Sequence, residues 1–583
     1  MYSQNLREVV FGEYRDVIFP SLLTLSSTLA FRPNSSITPI IFTLTLLLVY
    51  SRFLFRSEQK FGASHIVLLC ALAVGASLSK LQASFSALST PAPSIIVLFL
   101  SALVLSFFTL SILYVDTKFC TRFNSSWAQV TLFPALWATL WCTISYISPV
   151  GHLSTWSAAE HTDAYNWIVP IAGPASKDWI TAAWAVVMSQ IVGAWYMGYQ
   201  DHDEDSLLGN QPRRQQFGGS HSRVGILALC LTFATIPSFL ILQLPLPVSD
   251  INISTPLTVG CVLPPLQKYK HHVLTLDDFI RESATVKDLA HIILWPEGAV
   301  AFNSTSARDE GLKLVRDSLP GRAYIGVSFE ETVDDPSDST SKTPLRRTGV
   351  AVISQYSLEP HHLYYKRNLV PFAESFSLRH SLIPPSIFEL ELKAPKGKKI
   401  EWGPAPDHTR SIPLTSSICL DFASPSPFAD LPSRPGLILA PARTWEKTVG
   451  YAMWLQARQR AEELQSIVLW CDGGEGGVSG VGGSGFNDVF QVGSGSFVRT
   501  IGIQYPFNYQ KTSFARWGDS VLILFWLLLF VPGRIPIPTF MNIAPVSYVQ
   551  DKIRRAGEYL WQRTNRADQN PTRAEPPTGN LLD

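Results

Sequence analysis

Three residues in the second half of the chain carry side chains that could do chemistry together. The run His291-Ile292-Ile293-Leu294-Trp295 leads directly into Pro296-Glu297-Gly298. A carboxylate just past a buried strand is partly desolvated, which raises its pKa toward the range useful for a general base. Tyr364-Tyr365-Lys366 precedes the apolar stretch Leu369-Val370-Pro371-Phe372, and Glu374 closes it, so an ammonium and a second carboxylate flank one apolar run. Cys419 follows Ser416-Ser417-Ile418 and precedes Leu420-Asp421. Singly, each has an ordinary explanation: a strand-end turn residue, a solvated lysine, an inert core thiol. Read in chain order, each at the edge of an apolar run, they are much less ambiguous.

Those residues need elements to position them. Between about 255 and 510, short β-branched or apolar runs alternate with polar helical stretches, as expected for an α/β fold. The pattern predicts strands over 257–263, 291–295, 323–329, 348–354, 416–422, 436–441 and 466–471. Helices are expected over 274–288, 306–318 and 444–464, and loops over the charged stretch 330–347 and the Pro-rich stretch 384–414. Strands separated by helices imply layered sheets with helices outside and active residues at strand ends.

The first half has a different character. Only 16% of the 583 residues are charged, against about 25% in typical soluble domains. A bilayer core of about 30 Å needs about 20 apolar residues in helix. Uncharged runs of that order occur at 33–51, 61–79, 95–115, 125–147, 179–200 and 224–244, with a shorter one at 17–31. This predicts seven spans before residue 245, and an eighth, shorter piece at 520–533. The start of the chain shows no charged segment followed by an apolar core and a small-residue cleavage site, so the first span is expected to stay as an anchor. Arg52, Arg56, Lys60, Lys118, Arg122, Arg213, Arg214 and Arg223 fall in loops that share one side, whereas 148–178 holds only Lys177. By the positive-inside rule, the segment from about 245 to 515 lies on the lumenal, periplasmic or extracellular face. In a eukaryotic host, Asn252-Ile253-Ser254 and Asn303-Ser304-Thr305 would then be glycosylation acceptors.

The segments Leu294-Trp295-Pro296-Glu297-Gly298, Tyr365-Lys366-Arg367-Asn368-Leu369-Val370-Pro371-Phe372-Ala373-Glu374 and Cys419-Leu420-Asp421 resemble the motifs of the carbon-nitrogen hydrolase (nitrilase) superfamily. They are most similar to its membrane-bound apolipoprotein N-acyltransferase branch, and the resemblance covers the chain to about residue 535. It implies a multi-pass α-helical membrane domain over 1–245, an α/β nitrilase-type αββα sandwich outside the membrane over 246–515 and a terminal span over 516–535; beyond it, composition alone reads 536–583 as a basic, partly disordered tail. It also implies Glu297 as general base, Cys419 as nucleophile and thioester carrier, and Lys366 with the backbone N–H after Cys419 as oxyanion stabilisers. Glu374 and Asp421 would orient Lys366 or the base, and Trp445 would contact substrate. The implied reaction passes a phospholipid acyl chain to an amine-bearing acceptor such as a lipoprotein. Ala373, Leu420 and Asp421 stand where the family has Gly, an aromatic and Glu, and 437–444 lacks the polar residues the family places before Trp445. Cys471 aligns with a turn near the site and is not expected to be its nucleophile.

Other features carry less. Net charge is +1, from 47 Lys and Arg against 46 Asp and Glu, which draws the protein toward no polyanion and leaves no case for nucleic-acid binding. The seven Cys show neither zinc spacing nor a disulfide framework, and no metal or cofactor is expected. Gly480-x-Gly482-x-x-Gly485 formally matches a dinucleotide fingerprint, but no helical pattern follows, so a turn is expected there. The pairs His271-His272 and His361-His362 lack helical ligand spacing and read as solvated surface residues. Residues 201–205 read as an acidic connector and 564–583 as disordered. Two enzymatic readings stay open: acyl transfer to an amine, or hydrolysis of an amide by the same residues with water as acceptor. An idle scaffold or transporter would have no need of Glu297, Lys366 and Cys419 together.

Overall fold

A computed structural model describes residues 13–54, 63–87, 90–120, 127–197, 215–240, 251–265, 273–333, 345–394, 402, 408–483 and 486–530. The acidic run 201–205, His271-His272, Gly485 and the tail after 530 lie outside the described residues.

Helices occupy each expected apolar run of the first half: α1 Arg15–Ala30, α2 Ile37–Val49, α3 Ala63–Phe85, α4 Pro91–Cys120, α5 Ala128–Ile147, α6 Pro174–Met197 and α7 Gln215–Phe233. Among the described residues, five stretches are long and apolar enough to cross a membrane: Ser64–Phe85, Pro91–Cys120, Ala128–Ile147, Arg223–Leu240 and Ser513–Phe530. The last is longer than the 14-residue run suggested, because helical turns begin upstream at Ser513. α4 is built inside out relative to a helix in water. Its buried residues are Ser94, Ala102, Ser106, Thr109, Leu113 and Asp116, while Phe99, Leu100, Val104, Phe107 and Phe108 are exposed. In water that surface would be costly; small residues packed inside and large apolar ones outside suit a hydrocarbon surround. At one end of the bundle, Asp116 accepts both Nε and NH2 of Arg52, at 2.8 and 2.9 Å, tying α4 to the turn that follows α2.

The second half is a two-sheet sandwich. One sheet has the order β13-β1-β2-β4-β5-β6, with β3 paired to β4. Its strands are β1 Ser254–Cys261, β2 Ile292–Leu294, β3 Val300–Phe302, β4 Tyr324–Val333, β5 Leu345–Ile353, β6 His362–Tyr365 and β13 Phe497–Gln504. The other has the order β12-β11-β10-β9-β8-β7. It is made of β7 Phe388–Lys393, β8 Thr409–Ser416, β9 Leu437–Ala442, β10 Ile467–Asp472, β11 Val478–Gly483 and β12 Phe486–Val492. The main core lies between the sheets, where Val259, Leu294 and Val352 meet Leu390, Leu414 and Leu439. Helices α8 Leu276–Val286 and α9 Thr305–Ser318 cover the outer face of the first sheet through Phe279, Val286, Leu312 and Val315. Helix α10 Lys447–Leu464 lies on the second, with Met453, Trp454 and Ala457 in the core. The layering is αββα.

Four expectations fail. The charged stretch 330–347 is strand at both ends, where β4 runs to Val333 and β5 begins at Leu345. The Pro-rich stretch 384–414 is not all loop: it contains β7, whose residues alternate buried and exposed, and the start of β8. The strand expected over 416–422 ends at Ser416, and Cys419–Ala423 is a 3-10 turn. The chain also contains a disulfide, Cys261–Cys471, joining β1 of one sheet to β10 of the other across 210 residues. Its two partners share no local spacing that a cysteine pattern could display.

Candidate active site

Lys366 directly follows β6, and Glu297 and Cys419 stand three residues past the ends of β2 and β8. The strands β1, β2 and β4 are parallel, as are β8, β9 and β10, so their C-terminal ends gather on one edge of the sandwich. Glu297 is anchored there by its own N–H, which donates to Ala442 O at the end of β9, 3.3 Å away. This bond crosses from one sheet to the other. Lys366 continues the β5–β6 pairing: its N–H donates to Thr348 O at 2.9 Å, and its carbonyl accepts Ser381 N at 2.9 Å.

The side chains converge. Lys366 Nζ, on a residue only 1% exposed, donates to Glu297 Oε1 at 2.7 Å and to both oxygens of Glu374 at 2.8 Å. Glu374 Oε2 also accepts Val370 N at 2.9 Å, which folds the 370–374 loop back on the lysine. The Cys419 thiol lies within interaction range of the Glu297 carboxyl, whose Oε2 has no hydrogen-bond partner among the described residues. Arg443 directs its backbone N–H at the Cys419 sulfur. Cys419 has φ +42, a left-handed conformation that a residue with a Cβ adopts only under constraint. As first residue of a 3-10 turn, it and Leu420 present N–H groups with no acceptor inside that turn.

The electrostatics follow from burial. Desolvation pushes the Glu297 carboxyl up to about 7, against the pull of the Lys366 ammonium and with a further push from Glu374. Burial also drives the Cys419 thiol well above its ordinary range, and the Glu297 charge adds to it. Burial works against the Lys366 charge, but Glu297, Cys419 and Glu374 together hold its pKa above the usual lysine value. At rest near neutrality the group is therefore a thiol beside a carboxyl that can accept its proton, with a fixed ammonium alongside.

Asp421 acts on Lys366 indirectly, through the residues beside it. Its Oδ1 accepts the backbone N–H of Arg367 and Asn368, at 3.1 and 2.6 Å, and Asn368 Nδ2 at 3.0 Å. Its Oδ2 accepts Tyr364 Oη at 2.8 Å and Ile418 N at 3.2 Å. The carboxylate thus ties the turn of Cys419 to the Tyr364 side chain before Lys366 and to the backbone after it, which orients the lysine through its neighbours. Trp445 is 44% exposed, and its indole N–H donates to Ala83 O, at the end of α3, at 3.3 Å. The site therefore lies two residues, through Arg443, from an end of the helical bundle.

The sequence did not single out Asp472. Fully buried, it accepts Thr444 N at 2.9 Å, Thr444 Oγ1 at 2.6 Å and Gly474 N at 3.0 Å, fixing the loop that presents Arg443 N–H and Trp445. An acidic residue ending an apolar strand was the available signal, the same one that marks Glu297. Cys471 is bound in the disulfide. His361 is exposed, as expected, with its Nε2 bonded to Ser354 Oγ at 2.7 Å, whereas His362 is only 4% exposed and its Nε2 bonds Ser416 Oγ at 2.7 Å. Gly480 and Gly482 lie within strand β11. No group of three or more His, Cys, Asp or Glu among the described residues is placed to hold a metal ion.

No family model matches the chain, and no curated protein matches it in sequence. Among solved structures, the chain is similar to Nit3 of Saccharomyces cerevisiae, a member of branch 10 of the nitrilase superfamily. The identity is 15% over 44% of this chain and 93% of that one, with a TM-score of 0.31. It is also similar to an N-terminal amidase crystallised with an Asn-Glu-Ala peptide, at 10% identity over 43% of this chain and 99% of that chain, with a TM-score of 0.30. A third likeness is to the NitFhit protein of C. elegans, at 15% identity over 46% of this chain and 63% of that one, with a TM-score of 0.28.

Proposed function

We propose that this protein is a membrane-anchored acyltransferase that moves an acyl chain from a phospholipid through a Cys419 thioester to an amine. The observation that carries the reading is the contact of Lys366 Nζ with Glu297 at 2.7 Å, beside the Cys419 thiol. In the first half-reaction, Glu297 takes the thiol proton as sulfur attacks the ester carbonyl. The C–O bond breaks, and Glu297 returns the proton to the departing lysophospholipid oxygen. In the second, a neutral amine attacks the thioester, a C–N bond replaces C–S, and the amine's proton passes by way of Glu297 to the leaving thiolate. At rest, Lys366 directs its protons at two carboxyl groups. Protonation of Glu297 weakens one of those bonds and turns an N–H toward the developing oxyanion, which the N–H groups at the start of the Cys419 turn also face.

Two features favour a lipid donor. The exposed faces of α4 are apolar while its buried face is small or polar, and Trp445 joins the loop beside Cys419 to the end of α3. A bilayer around the helices would bring acyl esters to that edge. Arg52 and Lys118 then lie at the opposite end of the bundle from Ala83, since α3 and α4 run back and forth, and the positive-inside rule assigns that end to the cytoplasm. Membrane-tethered amide hydrolysis uses the same residues with water in place of the amine. The discriminating experiment incubates full-length protein with acyl-labelled phospholipid and a primary amine. Label recovered in an amide, lost in Cys419→Ser, supports transfer. Ammonia released from a small amide, with no labelled amide formed, supports the hydrolase.

A further inference from the structure

The left-handed backbone at Cys419, φ +42, persists only if its surroundings over-determine it. Upstream, Asp421 holds Ile418 N and the 364–368 loop. Downstream, the turn is gripped from two unrelated directions. Arg460, on α10 and fully buried, donates through one nitrogen, NH1, to two successive carbonyls just past the turn, Ser424 O at 3.2 Å and Pro425 O at 2.7 Å. Its NH2 is paired with Glu463 at 2.6 Å, and its Nε has no acceptor among the described residues. From the helical bundle, Gly151 presses backbone to backbone on the same place. It has φ +52, and a methyl group there would stand 2.0 Å from Ala423 O and 2.6 Å from Ala423 C. Gly151 begins the turn Gly151–Ser154, which follows the end of α5 at Ile147 almost directly. Leu153 in that turn packs against the core between the two sheets.

We propose that Arg460 and the Gly151–Ser154 turn are positioning elements for Cys419, so that the loop joining α5 to α6 belongs to the catalytic apparatus as well as to the anchor. A buried guanidinium is a costly way to fill space, and an apolar side chain would pack there more cheaply. What the charge adds is a clamp on the carbonyls that end the nucleophile turn. The two grips converge on residues 423–425, and a shift there moves the sulfur relative to Glu297 and Lys366. The proposal rests on Cys419 being the nucleophile, and its test separates the two.

The test compares full-length wild-type protein with Gly151→Ala and Arg460→Lys in phospholipid nanodiscs, following the rate of Cys419 acylation at saturating lipid by mass spectrometry. Thermal unfolding is measured alongside. Both variants are expected to acylate Cys419 at least about tenfold more slowly, because a displacement of about 1 Å in reacting groups can cost about a hundredfold. The loss falls on the maximal rate, not on the lipid concentration at half-rate, and the thiol-alkylation pH profile of Cys419 shifts as it leaves Glu297. Arg460→Lys, which keeps the charge but loses the doubled grip, loses less than Arg460→Met. Folded variants that acylate Cys419 at the wild-type rate, with an unchanged pH profile, overturn the proposal. Should Gly151→Ala fail to fold, the Arg460→Lys rate decides alone. Acyl transfer undiminished in Cys419→Ser overturns the nucleophile assignment itself, and this inference with it.

Discussion

The chemistry turns on how burial sets protonation around Cys419. In the proposed reaction Glu297 acts as base only when ionised, and burial places its midpoint at about 7. The ionised fraction therefore falls as pH drops through that value, and the Cys419 acylation rate should fall with it and level off above. A pH–rate profile measured between pH 5 and 9, on the order of four pH units around that midpoint, checks this. Glu297→Gln should lower the rate by about 10²–10⁴ and abolish the acidic limb. Lys366→Arg should not rescue function. The lysine is 1% exposed and its three bonds converge on one nitrogen, a geometry the planar guanidinium cannot copy; a loss of about 10²-fold or more is expected in steady-state acyl transfer. The positions of Glu297, Lys366, Glu374 and Cys419 were legible because each closes or opens an apolar run. The partners of Asp421 around Lys366 were not, since they lie 53–57 residues away along the chain. The Arg443 N–H could not be read either, because a backbone donor leaves no mark on residue type.

At the level of elements, strands with dense apolar runs such as β9 and β10 were readable, as were helices with caps such as α9, where Ser304 accepts Ala307 N. The pairing of β13 was not legible because its partner β1 lies far away in sequence: Ser254 pairs with Gln504 and Cys261 with Phe497. β7 was masked by prolines on either side, although Phe388, Leu390 and Leu392 are buried in strict alternation. The Cys261–Cys471 bond closes a loop of 210 residues between the two sheets. Cross-linking that long a loop restricts the unfolded chain and stabilises by up to about 5 kcal/mol. The Cys261→Ala/Cys471→Ala double variant should therefore unfold at a markedly lower temperature than wild type. Unchanged melting, or wild-type protein in which both thiols alkylate without reductant, would contradict the link. Asp421→Asn should cost about 1–3 kcal/mol in denaturant unfolding, since an amide nitrogen placed at one of its two oxygens faces donors only.

Across the whole molecule, one end of the helical bundle carries Arg52 and Lys118, and the other meets the sandwich through Trp445–Ala83 and Gly151–Ala423. The disulfide suits an oxidising compartment, which agrees with the placement the positive-inside rule favours. Asn252 and Asn303 are exposed on the sandwich. Translated into eukaryotic microsomes, the full chain should gain glycan mass that Asn252→Gln/Asn303→Gln removes. An unglycosylated chain whose sandwich is digested by protease from the cytoplasmic side would reverse the orientation.

The acyl-thioester on Cys419 is tested most directly by the intact mass of the purified full-length protein after incubation with a phospholipid of defined acyl chains. One added acyl mass is expected, mapped to Cys419, released by a primary amine and absent from Cys419→Ser. No adduct on Cys419 under conditions where labelled lipid is consumed, or an adduct on another residue that survives Cys419→Ser, would contradict it.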